Sequence, residues 1–233
     1  MKIFCDSADY KNFLKYKKDK NIKGFTTNPS LMRAAGAKNY KEYSIKLLKN
    51  SNSKPVSLEV FSDNINEMYK QGKVINQWAK NVFVKIPVVN TKGKFTGETI
   101  KKLSKEKIKL NITAVYTFEQ VKKITRKLDK KTKAIISIFA GRMGDKLKDP
   151  IPIFKKSISF TKKYKNIEIL WASTREAYNF LEAKNLGCQI ITMPPKIIEQ
   201  IKNVNKTYKQ LTIDTVKGFY KDAKKSKFKF NFK

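Results

Sequence analysis

The chain has 233 residues, 40% of them hydrophobic, which is enough for one domain with a buried core and no disulfide or metal support. It has no histidine and only two cysteines, which excludes Ser-His-Asp and Cys-His catalytic sites, histidine-ligated metals and a disulfide framework. Fifty-two basic residues against nineteen acidic ones give a net charge of +33.

Eight short apolar runs alternate with amphipathic helical patterns along the chain. In chain order the runs are KIFC, GFTT, PVSLEV, NVFVKIP, KLNITAV, AIISIFA, EILWAS and QIITM. Helical spacing of apolar residues predicts helices over 65–78 and 118–128, and Thr117 with Gln120 predicts a capping box at the start of the second. Eight strand–helix repeats predict an α/β fold, a single (β/α)8 TIM barrel, with an open doubly wound sheet as the alternative.

The ends of the chain complete the predicted organisation. We predict a barrel catalytic domain over 1–224, with an extra C-terminal helix, and a basic-aromatic tail over 225–233. The N-terminal sequence lacks the apolar core and cleavage site of a signal peptide, and no segment has the roughly 20 apolar residues of a membrane span. We therefore expect a cytoplasmic protein with no membrane partner.

The positive charge allows two interpretations. Clustered lysine and arginine neutralise phosphates, so a polyanion-binding barrel protein is one hypothesis. Only four of the basic residues are arginine, however, which is the residue that base-edge and bidentate phosphate recognition favours. The lysines are spread over the whole chain, so we expect a lysine-rich surface with weak, salt-sensitive affinity for polyanions and no specific nucleic acid partner.

Strand alternation predicts which side chains face the lumen of the barrel. It places polar or reactive residues of the third to sixth runs inside: Ser57, Glu59, Lys85, Asn111, Thr113 and Ser137, with Phe83 and Phe139. In the seventh run it places Trp171 and Ser173 inside, with Leu170 and Ala172 outside. Because the first two runs end at Asp6 and Asn28, polar residues collect at the C-terminal ends of the strands, where this fold builds catalytic sites.

Lys85 is the centre of the predicted chemistry. It lies between Val84 and Ile86 in a strand, and burying an unpaired ammonium there is costly, so we expect a neutral amine. Such an amine attacks a carbonyl to form a Schiff base; the alternative is a strand-end lysine that extends to solvent. Asp6 and Glu59 would supply the proton carriers that Schiff-base chemistry requires, or else would be polar caps of strands.

The remaining polar positions suggest substrate contacts. Asn28 and Asn111 would hold hydroxyl groups, or would serve in turns and structural hydrogen bonds. Arg142, Ser173 and Arg175 form a phosphate-anchoring set, the alternative being two loop salt bridges.

At this point the motifs match a family. They are TTNPSL at 26–31, SLEV at 57–60, VKIP at 84–87, NITAVYT at 111–117, SIFAGR at 137–142, WASTRE at 171–176 and GCQIITMPP at 187–195. The chain resembles the transaldolases, specifically the short subfamily that also contains fructose-6-phosphate aldolase, over nearly its whole length. The resemblance implies carbohydrate metabolism of the pentose phosphate pathway type, sugar-phosphate substrates, no metal or organic cofactor, and a homo-oligomer.

The resemblance also implies a role for each matching residue. Lys85 would form a Schiff base with a ketose phosphate, and Asp6 would take the proton of the C4 hydroxyl as the C3–C4 bond breaks. Glu59 and Thr113 would position a water that relays protons. The implied substrate-binding residues are Asn28, Asn111 and Ser137 for the dihydroxyacetone unit, and Arg142, Ser173 and Arg175 for phosphate.

Two positions separate transfer from cleavage within the subfamily. The aldolases resemble one another in having glutamine where this chain has Glu59 and tyrosine where it has Phe139. Glutamate with phenylalanine is similar to the transaldolase arrangement, so we predict a ketone-group transferase, with aldolase-type cleavage as the alternative. The basic loop NTKGKFTGE and the bulky Trp171, expected near the lumen, depart from the family pattern and suggest an altered acceptor pocket.

Overall fold

A computed structural model describes residues 1–202 and 204–230, and within these ranges eight strands alternate with helices. The strands are β1 (Lys2–Asp6), β2 (Ile22–Thr26), β3 (Val56–Glu59), β4 (Val82–Pro87), β5 (Leu110–Val115), β6 (Ala134–Phe139), β7 (Ile167–Ala172) and β8 (Ile190–Met193). The helices are α1 (Tyr10–Tyr16), α2 (Pro29–Ala34), α3 (Tyr40–Lys49), α4 (Ile65–Asn76), α5 (Gly97–Lys105), α6 (Phe118–Lys127), α7 (Ala140–Gly144), α8 (Ile151–Thr161), α9 (Tyr178–Asn185), α10 (Pro195–Lys202) and α11 (Tyr208–Lys225).

The eight strands form a closed parallel barrel in chain order, which confirms the predicted (β/α)8 fold. Strand β1 pairs with β8 and closes the ring, so the sheet is not the open doubly wound alternative. The register between β3, β4 and β5 sets Glu59 beside Lys85 and Lys85 beside Asn111. Three residues that are far apart in sequence therefore share one level of the barrel.

Local sequence signals begin the helices where expected. Thr117 and Gln120 make the predicted capping box at the start of α6. The buried face of α4 consists of Met68, Gly72 and Ile75, in agreement with its apolar spacing. The helices thus cover the outside of the sheet and leave the strand ends open.

The alternation predicted for β7 is wrong. Trp171 stacks on Phe154 of helix α8, with ring centroids 4.4 Å apart, so it faces the helices and cannot alter the acceptor pocket from the lumen. Leu170 and Ala172 belong instead to the apolar cluster inside the barrel. Ser173, predicted to lie inside, does line the cavity, but its φ of +64° lies in the left-handed region and breaks the two-residue period, so Trp171 and Ser173 do not share a face.

The chain forms two compact units, Met1–Ile198 and Glu199–Lys233. The second contains α11, which starts with a capping box of Thr207 and Gln210. The predicted division at residue 224 stays a prediction, and 231–233 of the predicted tail lie outside the described residues. Among the residues that the structure describes, no helix has the length and apolar character to span a bilayer.

Candidate active site

A cavity of about 160 Å³ opens at the C-terminal ends of the strands. Of the predicted site residues, all but Glu59 line it: Asp6, Asn28, Lys85, Asn111, Thr113, Ser137, Phe139, Arg142, Ser173 and Arg175. Glu59 reaches the same place through its contact with Lys85. The fold therefore brings the predicted residues together on the face that holds active sites in this architecture.

Lys85 is buried, with 6% of its surface exposed, so its side chain does not extend to solvent. Its Nζ donates a hydrogen bond to the backbone oxygen of Thr27 at 2.6 Å and lies 3.0 Å from Oε2 of Glu59. The buried lysine is thus paired with a carboxylate, and Glu59 is the group in place to exchange a proton with it.

Asp6 is the second carboxylate of the site. Its Oδ1 accepts a hydrogen bond from Oγ1 of Thr26 at 2.6 Å, and that hydroxyl lies 2.5 Å from Oγ1 of Thr192. Burial raises the pKa of Asp6 above its ordinary value, and the charge of Glu59 adds to this, while the Thr26 hydrogen bond and the Lys85 charge oppose it. A carboxylate held in this way is a stronger base than an aspartate in water.

Asn111 is completely buried and hydrogen-bonded on both ends of its amide. Its Nδ2 donates to Oγ of Ser57 at 3.0 Å, and its Oδ1 accepts from Oγ of Ser137 at 2.6 Å. These two hydrogen bonds link β3, β5 and β6 and fix the orientation of the amide. A fixed amide beside Lys85 is suited to hold a hydroxyl-bearing ligand.

Asn28 has a structural role in a helix cap and also borders the cavity. Its Oδ1 accepts a hydrogen bond from the backbone N–H of Leu31 at 2.9 Å and caps helix α2. The residue also lines the cavity. Because the cap occupies only the carbonyl oxygen, the amide N–H groups remain as donors toward a ligand.

Two arginines stand at the rim of the cavity. Arg175 donates hydrogen bonds from Nε and Nη2 to the Asp145 carboxylate, the shortest at 2.6 Å, so a loop salt bridge does form there. This pairing holds the pKa of Asp145 below its ordinary range. The guanidinium of Arg142 lies 5.7 Å from the ring centroid of Phe139 and remains exposed.

Two backbone segments approach each other unusually closely at this rim. A Cβ added to Gly141 would lie 1.7 Å from the carbonyl oxygen of Ser173, so only glycine fits where α7 meets the end of β7. Ser173 itself has a positive φ of +64°, which places a strained residue in the proposed anion site. The lack of space for a side chain therefore explains the glycine of the SIFAGR motif.

Sequence reasoning missed four cavity residues: Thr26, Leu170, Ala172 and Thr192. Side-chain alternation would have identified Thr26 and Thr192. They lie two residues after Gly24 and Ile190, and therefore on the same face of β2 and β8 as those residues. Leu170 and Ala172 were missed because the predicted alternation of β7 placed them outside the barrel. No local signal marked Asp145 as the partner of Arg175, because that contact spans two loops.

Known proteins were compared with this chain at two levels. The family described as Transaldolase/Fructose-6-phosphate aldolase matches residues 3–231. A probable transaldolase of Nitrosopumilus maritimus is 31% identical over 231 residues, covering 97% of this chain and 96% of its own. A probable transaldolase of Dehalococcoides mccartyi is 32% identical over 202 residues, covering 86% and 90%.

Solved structures show the same architecture at low identity. A 3-hexulose-6-phosphate synthase from Salmonella typhimurium has a TM-score of 0.58 at 10% identity and covers 83% of this chain and 89% of its own. A putative dihydrodipicolinate synthase family protein from Coccidioides immitis has a TM-score of 0.60 at 8% identity, over 82% of this chain and 65% of its own. These likenesses concern the fold alone. The sequence matches go further, and by them the chain belongs to the transaldolase/fructose-6-phosphate aldolase family.

Proposed function

We propose that this protein is a transaldolase, which transfers a three-carbon dihydroxyacetone unit between sugar phosphates through a Schiff base on Lys85. The observation that carries the proposal is the buried Lys85 ammonium, 3.0 Å from Glu59, in a cavity that also holds Asp6 and two arginines. The name probable transaldolase of the relatives points the same way.

The first step is formation of the Schiff base. Glu59 takes a proton from the Lys85 ammonium, and the free amine attacks the C2 carbonyl of a ketose phosphate to form a carbinolamine. Glu59 then returns the proton to the C2 hydroxyl, which leaves as water and gives the iminium ion. Thr113, which is buried and lines the cavity, positions that water.

The second step breaks the C3–C4 bond. The Asp6 carboxylate takes the proton of the C4 hydroxyl, and the electrons of the breaking bond move into the iminium to give a neutral enamine. The former C4 becomes the aldehyde carbon of an aldose phosphate, which departs. The raised pKa of Asp6 favours this proton transfer.

The third step joins the enamine to an acceptor. The enamine carbon attacks the aldehyde of a second aldose phosphate, and protonated Asp6 returns its proton to the new hydroxyl. Water then hydrolyses the iminium and releases the new ketose phosphate from Lys85. Asn28, Asn111 and Ser137 hold the hydroxyls of the three-carbon unit, while Arg142, Ser173 and Arg175 hold phosphate.

Phe139 favours transfer over cleavage. Cleavage to free dihydroxyacetone requires a proton on the enamine carbon, supplied by water or an acidic hydroxyl. Phe139 lines the cavity and carries no hydroxyl, and its ring packs 5.9 Å from that of Tyr116. An apolar ring at this corner keeps water from the enamine, so the intermediate waits for an aldehyde.

The test is whether turnover depends on an acceptor. Fructose 6-phosphate is assayed with and without a panel of aldose phosphates, and free dihydroxyacetone is measured beside the new ketose phosphate. We expect product only with an acceptor, and we expect Phe139→Tyr to raise dihydroxyacetone release while Phe139→Leu does not. Acceptor-independent release by the unmodified protein would identify an aldolase, and no gain in Phe139→Tyr would reject the role of the ring.

A further inference from the structure

The N-terminal end of the barrel carries a second cavity that the proposed reaction does not use. Its volume is about 530 Å³, within the range of small-molecule sites. Buried apolar side chains, among them Phe4, Phe83 and Ile135, line its floor. The charged lining consists of five ammonium groups and one carboxylate: Lys2, Lys23, Lys80, Lys109 and Lys133, with Glu168.

These lysines meet because of the fold and not because of sequence proximity. Lys2 begins β1 and Lys23 is the second residue of β2. Lys80, Lys109 and Lys133 stand one or two residues before β4, β5 and β6. Parallel strands start at the same end of a barrel, so lysines from five strand starts converge there.

The positive charge at this N-terminal mouth is poorly compensated. Lys2 pairs with Glu168 at 2.8 Å. Within the described residues, no carboxylate lies within ion-pair distance of the other four lysines. An adjoining cavity of about 440 Å³ shares Lys2, Lys133 and Glu168 and adds Lys162 and Lys165, so the surrounding surface supplies no excess of acid.

Lys109 shows most clearly how close together the positive charges lie. Its Nζ donates to the backbone oxygen of Lys80 and lies 5.4 Å from the ring centroid of Phe83, over the floor of the cavity. Burial lowers the pKa of Lys109, and the charge of Lys133 lowers it further. A bound anion would relieve both effects, because it would neutralise the two ammonium groups together.

We propose that the N-terminal mouth binds a small polyphosphate anion, either inorganic or the polyphosphate chain of a nucleotide. Several linked phosphates can contact several lysines at once, which a single phosphate cannot do. A cavity of this size with an apolar floor suits a small molecule better than a nucleic acid strand. The site lies at the opposite end of the barrel from Lys85 and is independent of the reaction there.

Isothermal titration calorimetry at about 150 mM salt tests this, with inorganic tripolyphosphate and ATP as probes and adenosine as the uncharged control. We expect one site per chain and a loss of affinity of about tenfold or more in the double variant Lys109→Gln/Lys133→Gln. The matched control Lys123→Gln/Lys156→Gln removes the same charge from exposed positions of α6 and α8 and should bind as before. If ATP binds more tightly than tripolyphosphate, the ligand is a nucleotide. If the two bind equally, the ligand is the inorganic anion.

Several results would overturn the proposal. These are no binding of either probe, an equal loss in the control variant, more than one anion per chain, or displacement of the probe by fructose 6-phosphate. Binding of a single-stranded oligonucleotide alone would also reject it and would point to the general field of a chain with a net charge of +33. Circular dichroism of both double variants confirms that each is folded.

Discussion

Asp6 shows how the proposed chemistry conflicts with stability. The native carboxyl has a raised pKa, chiefly through burial, so the folded protein holds this proton more tightly than the unfolded chain does. Ionisation of Asp6 therefore costs stability above the raised pKa, and the cost disappears below the ordinary value of 3.8, where both states are protonated. In the proposed reaction this carboxylate is the base, which would account for a charge that costs stability.

Asp6→Asn should separate the two effects, since asparagine still accepts the Thr26 hydrogen bond but carries no charge. We expect transfer activity to fall by about 10²–10⁴-fold. The free energy of unfolding at pH 7 should rise by roughly 0.5–2 kcal/mol, and this gain should shrink toward pH 4. Urea unfolding at both pH values measures it, and a variant that is less stable at pH 7, or equally stabilised at both, contradicts the assignment.

The sequence predicts single residues well where alternation is regular. Lys85 and Ser137 lie in regular strands, Asn111 precedes the irregular part of β5 between Ile112 and Val115, and each faces the cavity as expected. The pairing of Lys85 with Glu59 depends on the register of two strands, which alternation alone does not supply. The sequence predicts that Glu59 and Asp6 lie near Lys85, and the register adds which of the two pairs with it.

Among the secondary-structure elements, the junction of β6 with α7 is the most constrained part of the site. Gly141→Ala would drive a Cβ to 1.7 Å from the Ser173 carbonyl, so the two segments must separate. We expect a loss of about 1–3 kcal/mol of unfolding free energy and a higher KM for sugar phosphates, because Arg142 and Ser173 move with the backbone.

Gly144→Ala is the matched control, because a Cβ there meets nothing within 4 Å. Its stability and KM should equal those of the unmodified protein. Thermal unfolding and steady-state kinetics of both variants decide the matter. If Gly141→Ala has the same stability and KM as Gly144→Ala, the close approach of the two segments is not required for function.

The elements themselves were predictable because each apolar run is short and because α6 begins with a clear capping box. All eight runs form strands of one closed barrel. The failure in β7 comes from one residue, Ser173, whose left-handed backbone changes the side-chain direction. Such a conformation in a serine has no signature in a single sequence.

On the scale of the whole molecule, closure of the barrel buries both cysteines. Cys5 lies in β1 and Cys188 two residues before β8, the pair of strands that completes the ring. Burial raises the pKa of Cys188 to about 12 and also raises that of Cys5. A thiol reagent should modify neither cysteine in the native protein and both after denaturation.

The measurement is a thiol titration with and without denaturant. We expect the rate of reaction in native buffer to follow the rate of global unfolding, because both thiols are buried next to the strands that close the barrel. One rapidly reacting thiol in the folded protein would contradict this account of the seam.

The net charge of the chain was plain from composition, but its arrangement was not. The lysines of the N-terminal mouth are up to 131 positions apart, and only barrel closure brings them together. Loop salt bridges were an alternative role for the two arginines, but local patterns do not identify Asp145 as the partner of Arg175. Long-range contacts of this kind depend on loop geometry and barrel register, which local patterns do not determine.

In the proposed mechanism Lys85 forms a covalent imine with a ketose phosphate. Incubation with fructose 6-phosphate followed by borohydride reduction and peptide mass spectrometry detects this bond, with Lys85→Arg as the control. We expect a single adduct, a reduced three-carbon or ketose unit, on the peptide that contains Lys85 and none in the variant. Labelling at another lysine, or no substrate-dependent label at all, would contradict it.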